Sequence, residues 1–214
     1  DPTLKTTVKL RVVSRQQQLI RLDFEQKPDH EVLAAMMERY EQELTFHDVV
    51  ILSDYGKGGL EHLHQMMNLP RTQGKTILVD PKGRDYSRYA GATLLTPNRA
   101  ELAQVVGDWS SEDDLTARAQ GLRRKLNLKA LLLTRSEEGM SLYTETGELH
   151  IPTEAKEVYD VSGAGDTVIA TVAVMLGAGL SLEEAVRTAN RAAGVVVGKL
   201  GTASVTPKEL WEQA

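Results

Sequence analysis

Residues 160–167 read Asp160-Val161-Ser162-Gly163-Ala164-Gly165-Asp166-Thr167 and run directly into the apolar segment VIATVAVMLGAG. The apolar run predicts a buried helix beginning near Gly165. The start of a helix presents unpaired backbone N–H groups and a partial positive charge, which suits an anion. Two glycines at that point let the anion approach the backbone closely. A carboxylate in the same turn, Asp166, must then tolerate the anion as a neighbour. An anion cradle beside an acid points to chemistry on a phosphate. Taken alone, Asp166 also fits an ordinary first-turn helix acid. Its position behind Gly163-Ala164-Gly165, where glycine has no evident structural need, favours a reacting carboxylate. Asp160 reads as a residue that holds the loop.

The bulk properties leave room for such chemistry. With 214 residues and 41% hydrophobic content, the chain can build one large α/β domain with a core of its own. A net charge of −5 argues against nucleic acid or an anionic membrane as partner and leaves small soluble ligands open. The absence of cysteine excludes disulfides and thiolate metal sites and suits a reducing cytoplasm. The longest apolar run, Val168 to Leu180, is broken by Gly177 and Gly179 and is too short to cross a bilayer. His30, His47, His62, His64 and His150 show no ligand spacing; His62 and His64 point apart on a helix, so these residues read as surface positions rather than zinc ligands.

Upstream, the hydrophobic rhythm changes along the chain. Val8, Leu10 and Val12 alternate with Lys9 and Arg11, and beyond a slip at Val13 comes Arg15; Ile20, Leu22 and Phe24 alternate with Arg21 and Asp23. With Gln16-Gln17-Gln18 as the turn, this predicts a two-stranded ribbon with one greasy and one charged face. Asp29 is placed to cap a helix carrying Val32, Met36, Tyr40 and Leu44 at spacing four. Short apolar runs follow, at Val49–Leu52, Ile77–Val79, Thr93–Leu95 and Ala130–Thr134, separated by helical stretches. Runs apolar at every position suit strands buried on both faces of a parallel sheet. Gly139 to Pro152, with a turn at Glu145-Thr146-Gly147, predicts a hairpin at the sheet edge. Two apolar helices close the chain, roughly Gly165–Ala178 and Leu182–Val197, the second capped by Ser181.

In open α/β sheets ligands sit beyond the carboxyl ends of the strands. The segments there are Ser53-Asp54-Tyr55-Gly56-Lys57-Gly58, Asp80-Pro81-Lys82-Gly83, Thr96-Pro97-Asn98-Arg99-Ala100-Glu101 and Thr134-Arg135-Ser136-Glu137-Glu138-Gly139, all rich in turn formers and polar groups. They line one edge.

These segments carry a resemblance. DVSGAGDT resembles the DxxGAGD signature of the ribokinase-like (PfkB) carbohydrate kinases; Asn98 to Glu101 looks like that family's NxxE element; Asn190-Arg191-Ala192-Ala193 with Gly201-Thr202 resembles its adenine-pocket segments. More narrowly, KLRVVSRQQQLIRLDFE, LSDYGKG, DPKG, TLLTPN, EVYDVSGAGDTV and AGVVVGKLGT look like the kinase domains of the bifunctional heptose kinase/adenylyltransferases of lipopolysaccharide synthesis. The resemblance spans most of the chain. It implies a three-layer α/β/α sandwich with a mostly parallel central sheet and a small β lid, residues 7–25 forming the lid ribbon and 26–214 the nucleotide-binding core of one kinase domain. It implies ATP and Mg2+ as cofactors, a sugar phosphate as acceptor, a cytoplasmic location, and a monovalent cation near the anion hole in some members.

By this resemblance Asp166 is the base that takes the proton from the acceptor hydroxyl, and the amides of Gly163, Ala164 and Gly165 form the anion hole. Asn98, Arg99, Ala100 and Glu101 would contact the nucleotide, with Glu101 orienting magnesium, in part through water; an N-cap Asn98 with Glu101 as its capping-box partner is the rival reading. Thr134, Ser136 and Gly139 fall on a nucleotide-contacting phrase in which a glycine tends to stand at the place of Ser136. Asn190 and Gly201 fall on the adenine segments, although a buried asparagine satisfied by backbone explains Asn190 equally well. Lys82, Lys9 and Arg11 could meet phosphate oxygens of the acceptor, or could simply be solvated. A ribbon of this kind acts as a lid and often builds a dimer contact in the family, which makes a homodimer the expected assembly.

The family's N-terminal glycine pair and sugar-binding acids have no counterpart in this chain, which is therefore expected to be incomplete at its N-terminus; the adenylyltransferase half is expected on the same natural chain. The alternatives are another ribokinase-like kinase acting on a different sugar or nucleoside, and a nucleotide-binding regulatory module without catalysis. A Rossmann dehydrogenase fits poorly, because the glycine motif comes late and no acid follows a second strand.

Overall fold

A computed structural model describes residues 4–14, 17–155 and 157–212. The chain begins with the ribbon, β1 (Val8–Ser14) and β2 (Gln17–Phe24), paired antiparallel with Val8 opposite Phe24, Leu10 opposite Leu22 and Val12 opposite Ile20. The register shifts between Val12 and Val13, leaving Leu19 as the extra residue of a bulge. Gln17 and Gln18 belong to β2 instead of the turn, because they pair with Ser14 and Val13; Arg15 and Gln16 lie outside the described residues. The ribbon makes its own two-stranded sheet, and every residue of β1 is exposed.

Helix α1 (His30–Leu44) starts where Asp29 accepts a hydrogen bond from the Val32 amide at 3.0 Å. Its buried residues are Leu33, Met37 and Leu44: of the expected stripe Leu44 is buried, while Leu33 and Met37 stand in for Val32 and Met36, one position on. Met36 and Tyr40 pack at the margin of the same core. The helix is rolled toward α2 (Leu63–Thr72), where the Tyr40 hydroxyl donates to the Met66 carbonyl at 2.8 Å.

The main sheet has six strands in the order β3 (Val49–Ser53), β4 (Thr76–Asp80), β5 (Leu94–Leu95), β6 (Ala130–Thr134), β7 (Met140–Thr144) and β8 (Gly147–Ile151). The pairs from β3 to β6 are parallel, and β7 and β8 add the edge hairpin antiparallel, with Thr144 opposite Gly147. Between β5 and β6 lie α3 (Arg99–Val106) and α4 (Glu112–Lys125), and after β8 come α5 (Ala164–Gly177), α6 (Leu182–Val197) and α7 (Pro207–Glu212).

Side chains alternate across a strand, and here each strand feeds two cores. Ile77, Val79, Leu95, Leu131 and Leu133 meet α1, α2, α3 and α4 on one face. Leu78, Leu94, Ala130 and Leu132 meet α5 and α6 on the other. This is the three-layer sandwich, and it explains why β4 and β6 read as unbroken apolar runs. Leu78, Leu94, Leu131 and Leu132 are fully buried, and each contributes roughly 1.5–3 kcal/mol by leaving water. β3 departs from the expectation of burial on both faces: it is an outer strand of the sheet and its Ile51 is 40% exposed. Because β3 to β6 run parallel, their carboxyl ends collect on one edge, and all four polar segments lie there.

Candidate active site

The centre of that edge is the start of α5. Five helices begin under a side-chain cap: α1 under Asp29, α3 under Asn98, α4 under Ser111, α6 under Ser181 and α7 under Thr206. α5 does not. Its N-cap is Gly163, in the left-handed conformation at φ +81°, with no side chain to satisfy the first turn. The Ala164 amide donates to the Val161 carbonyl at 3.2 Å. The amides of Gly163, Gly165 and Asp166 have no acceptor among the described residues. Of the three amides expected to form an anion hole, those of Gly163 and Gly165 are open and that of Ala164 closes the turn, while the Asp166 N–H is open as well.

Asp160 shapes this loop as anticipated. Its Oδ1 accepts from the Ser162 amide at 2.8 Å. The Ser162 side chain and amide, with the Gly201 amide, hold its carboxyl below the usual range. Gly201, at φ +75°, therefore stands beside Asp160 and does not line the cavity described next. Thr202 packs over the loop, so that a Cβ at Gly163 would meet its methyl at 3.2 Å.

A cavity of about 390 Å³ opens against one side of the α5 start, bounded by Ala164, Gly165, Thr134, Ser136, Gly139 and Asn190, with Val158, Val161, Val168, Ala193 and Val197 as its apolar walls. A second, more open depression of about 610 Å³ lies on the other side and takes in Gly163, Asp166 and Thr167. The first turn of α5 divides the two. Both spaces are mainly apolar; the first adds a few convergent polar groups, the character of a small-ligand pocket, and the second holds the Asp166 carboxylate.

The cavity rim depends on two glycine-like positions. Gly139 sits at φ +89° against β8, and Ser136 adopts φ +55°, the left-handed region that glycine enters freely and serine does not. Behind them Arg135, 7% exposed, is held by both carboxylate oxygens of Glu112 at 2.7 and 2.9 Å, by Ser141 at 3.1 Å and by Glu138. Asn190 is buried and donates to the Pro152 carbonyl at 2.8 Å, so backbone satisfaction and a place in the cavity wall coexist.

The Asn98 element forms the capping box. Asn98 accepts from the Glu101 amide at 2.9 Å, and Glu101 Oε2 accepts from the Asn98 amide at 3.1 Å. The other oxygen, Oε1, accepts from Lys82 Nζ at 2.9 Å. Arg99 turns away to Glu138 at 2.5 Å and over the Trp109 ring. Ala100 lies in the first turn of α3.

Asp80, at the end of β4, was not singled out by sequence. Burial, then the charges of Glu101 and Asp166, push its carboxyl up to about 6, so three acids share one electrostatic neighbourhood. The buried hydroxyl of Tyr86 has no hydrogen-bond partner among the described residues. Tyr55 was also missed as an individual: its hydroxyl donates to Asp166 Oδ1 at 3.0 Å. Lys9 and Arg11 remain on the exposed ribbon, where Arg11 faces Arg21 and Lys9 faces Asp23.

Comparison with known proteins fits this geometry. The profile of the pfkB family carbohydrate kinases matches residues 1–209. The chain belongs to that family. It is 55% identical over 210 residues to D-beta-D-heptose 7-phosphate kinase of Bordetella bronchiseptica, covering 98% of this chain and 67% of the relative. It is 54% identical over 206 residues to the bifunctional protein HldE of Aeromonas salmonicida, covering 96% of this chain and 43% of the relative. The chain thus spans less than half the length of the bifunctional relatives. Among solved structures, ribokinase of Thermotoga maritima superposes with a TM-score of 0.78 at 20% identity, covering 97% of this chain and 69% of that one. Phosphofructokinase-2 of Escherichia coli in complex with potassium gives 0.76 at 20% identity, with 90% and 65% covered. These structural likenesses establish the ribokinase-like fold. No described helix of this pfkB-family chain is long and apolar enough to cross a membrane.

Proposed function

We propose that the chain forms the kinase domain that transfers the γ-phosphoryl group of ATP to the C1 hydroxyl of D-glycero-β-D-manno-heptose 7-phosphate, giving the 1,7-bisphosphate for ADP-heptose and lipopolysaccharide core synthesis. The observation that carries the reading is the first turn of α5, which sets amides without acceptors and the Asp166 carboxylate between two adjoining spaces. Nucleotide would occupy the apolar cavity with its triphosphate toward α5, and the acceptor would approach from the side of Asp166.

The residues present fit magnesium nucleotide. Asp80 is raised first by burial and then by the charges of Glu101 and Asp166, and a divalent cation would relieve the repulsive part of that shift. Among the described residues no three such side chains converge to bind a metal alone, so Glu101 would share the ion with phosphate and water. When bound, Mg2+ neutralises charge on the phosphate oxygens. Asp166 takes the acceptor proton, the hydroxyl oxygen bonds to phosphorus, and the bond to the leaving ADP oxygen breaks with its electron pair on ADP. The amides of Gly163, Gly165 and Asp166 hold the charge that develops on the phosphoryl oxygens. A monovalent cation beside the Asp160 loop belongs to the same proposal and is supported by the potassium complex of phosphofructokinase-2.

The fuller assembly is also a proposal. The apolar ribbon face, with Val8, Leu10, Val12, Ile20, Leu22 and Phe24 all exposed, would be covered by the same face of a second copy. An adenylyltransferase domain on the natural chain is supported by the bifunctional relatives. Substrate choice is tested by coupled ADP release from the full-length enzyme against a panel of sugars and sugar phosphates. Turnover with heptose 7-phosphate well above the rest is expected; equal rates with unphosphorylated sugars or nucleosides would overturn the assignment.

A further inference from the structure

Tyr55 lies 111 positions before the carboxylate its hydroxyl bonds, on the loop that leaves β3. Among the described residues that bond is the only side-chain hydrogen bond to the Asp166 carboxylate, and the loop carrying Tyr55 is built to hold it. Asp54, 7% exposed, accepts from the Gly56 amide at 2.7 Å and from the Tyr89 hydroxyl at 2.7 Å, while the Asp54 amide is tied to the Asp80 carbonyl at 2.9 Å. Gly56 completes the turn at φ +68°, a conformation that glycine supplies without strain. The backbone on both sides of Tyr55 is therefore fixed from the sheet. The ring itself is 57% exposed, so it contributes little core packing, and a hydrophobic reason for its position is missing. Lys57, two residues on, pairs with Glu25 at the root of the ribbon, which fastens the far end of the same loop.

Resting on the kinase reading above, we propose that Tyr55 is a positioning residue for the Asp166 base. Its hydroxyl donates to Oδ1 and fixes the carboxylate plane, so that Oδ2 is the oxygen that receives the acceptor proton. Tyr55 keeps its own proton throughout: the acceptor O–H breaks, the proton passes to Oδ2, and the phenol neither gains nor loses one.

The test is Tyr55→Phe in the full-length enzyme, assayed with MgATP and heptose 7-phosphate between about pH 5 and 9. Expected are a fall in kcat of about ten-fold or more and KM values for ATP and for heptose 7-phosphate each changed less than about two-fold. A thermal midpoint equal to that of the wild type shows that the fold is retained. A purely structural tyrosine would lower the midpoint or raise the KM values while leaving kcat in place. A wild-type kcat in Tyr55→Phe would overturn the role of Tyr55 alone. A wild type without phosphoryl transfer to any sugar phosphate would overturn the kinase reading and this inference with it.

Discussion

Gly139 lies so close to strand β8 that a Cβ added to it would stand 2.1 Å from the Ile151 carbonyl oxygen. The next nearest atoms are also backbone, the Thr153 nitrogen at 2.6 Å and the Pro152 carbonyl carbon at 2.7 Å, so no side chain can move aside. The left-handed φ of +89° adds a second penalty. Gly139→Ala should therefore cost about 3 kcal/mol or more, measured by urea unfolding, and should weaken nucleotide binding because the cavity rim is displaced.

Ser136, on the same rim, has room for a side chain but an unfavourable backbone, at φ +55°. Ser136→Gly should leave stability within about 0.5 kcal/mol of the wild type, since relief of strain and gain of chain freedom oppose one another. Ser136→Val should cost about 1–2 kcal/mol. Calorimetric titration with a non-hydrolysable ATP analogue should rank affinity in the same order.

Asp166→Asn removes the proton acceptor while keeping size and shape. In the full-length enzyme kcat should fall by about 10²–10⁴-fold, with ATP affinity within about three-fold of the wild type. Comparable turnover in the variant would remove Asp166 from the chemistry.

Asp80 is raised in the fold from an ordinary 3.8 to about 6, first by burial. Between those values the folded chain binds more protons than the unfolded chain, so stability falls as pH rises through the window, and the penalty is complete above about pH 6. Asp80→Asn removes it. The variant should melt about 2–4 °C above the wild type at pH 7 and level with it near pH 3.5, by differential scanning calorimetry without nucleotide. An unchanged difference across that range would show that Asp80 ionises normally.

The ribbon tests the proposed assembly. Two strands without a hydrophobic cover are marginal in water, and six apolar side chains on one exposed face mark a surface that is normally covered. Sedimentation of the full-length protein should give a dimer, and Leu10→Asp with Leu22→Asp should give a monomer at the same micromolar concentration. A monomeric wild type would refute the ribbon contact.

Much of this architecture was legible in the sequence because it rests on local chemistry. Apolar runs named the strands of the parallel sheet, Asp29 and Ser181 named helix starts, and the glycine pair with Asp166 marked the start of α5 that lacks a side-chain cap. What escaped depends on neighbours distant in the chain. Leu33 and Met37 displaced Val32 in the buried stripe because α2 and the sheet set the roll of α1. Tyr55 and Asp166 meet only after β3 and α5 reach the same edge. Glu101 could be read either as a cap or as a nucleotide contact, and the fold gives its two oxygens separate partners, the Asn98 amide and Lys82. The Ala164 amide is engaged by a single local bond with Val161, which motif spacing does not encode.

The uncapped start of α5 carries a dynamic consequence. Where α1, α3, α4 and α6 close their first turns with the side chains of Asp29, Asn98, Ser111 and Ser181, this one leaves its first amides open, and under the proposed function the phosphate chain would complete a piece of secondary structure as well as meet a surface. Amide hydrogen exchange at Gly165 and Asp166 should accordingly slow on nucleotide addition by a larger factor than at the self-closed starts of α3 or α6, making the loading of the enzyme readable as the last step in its own folding.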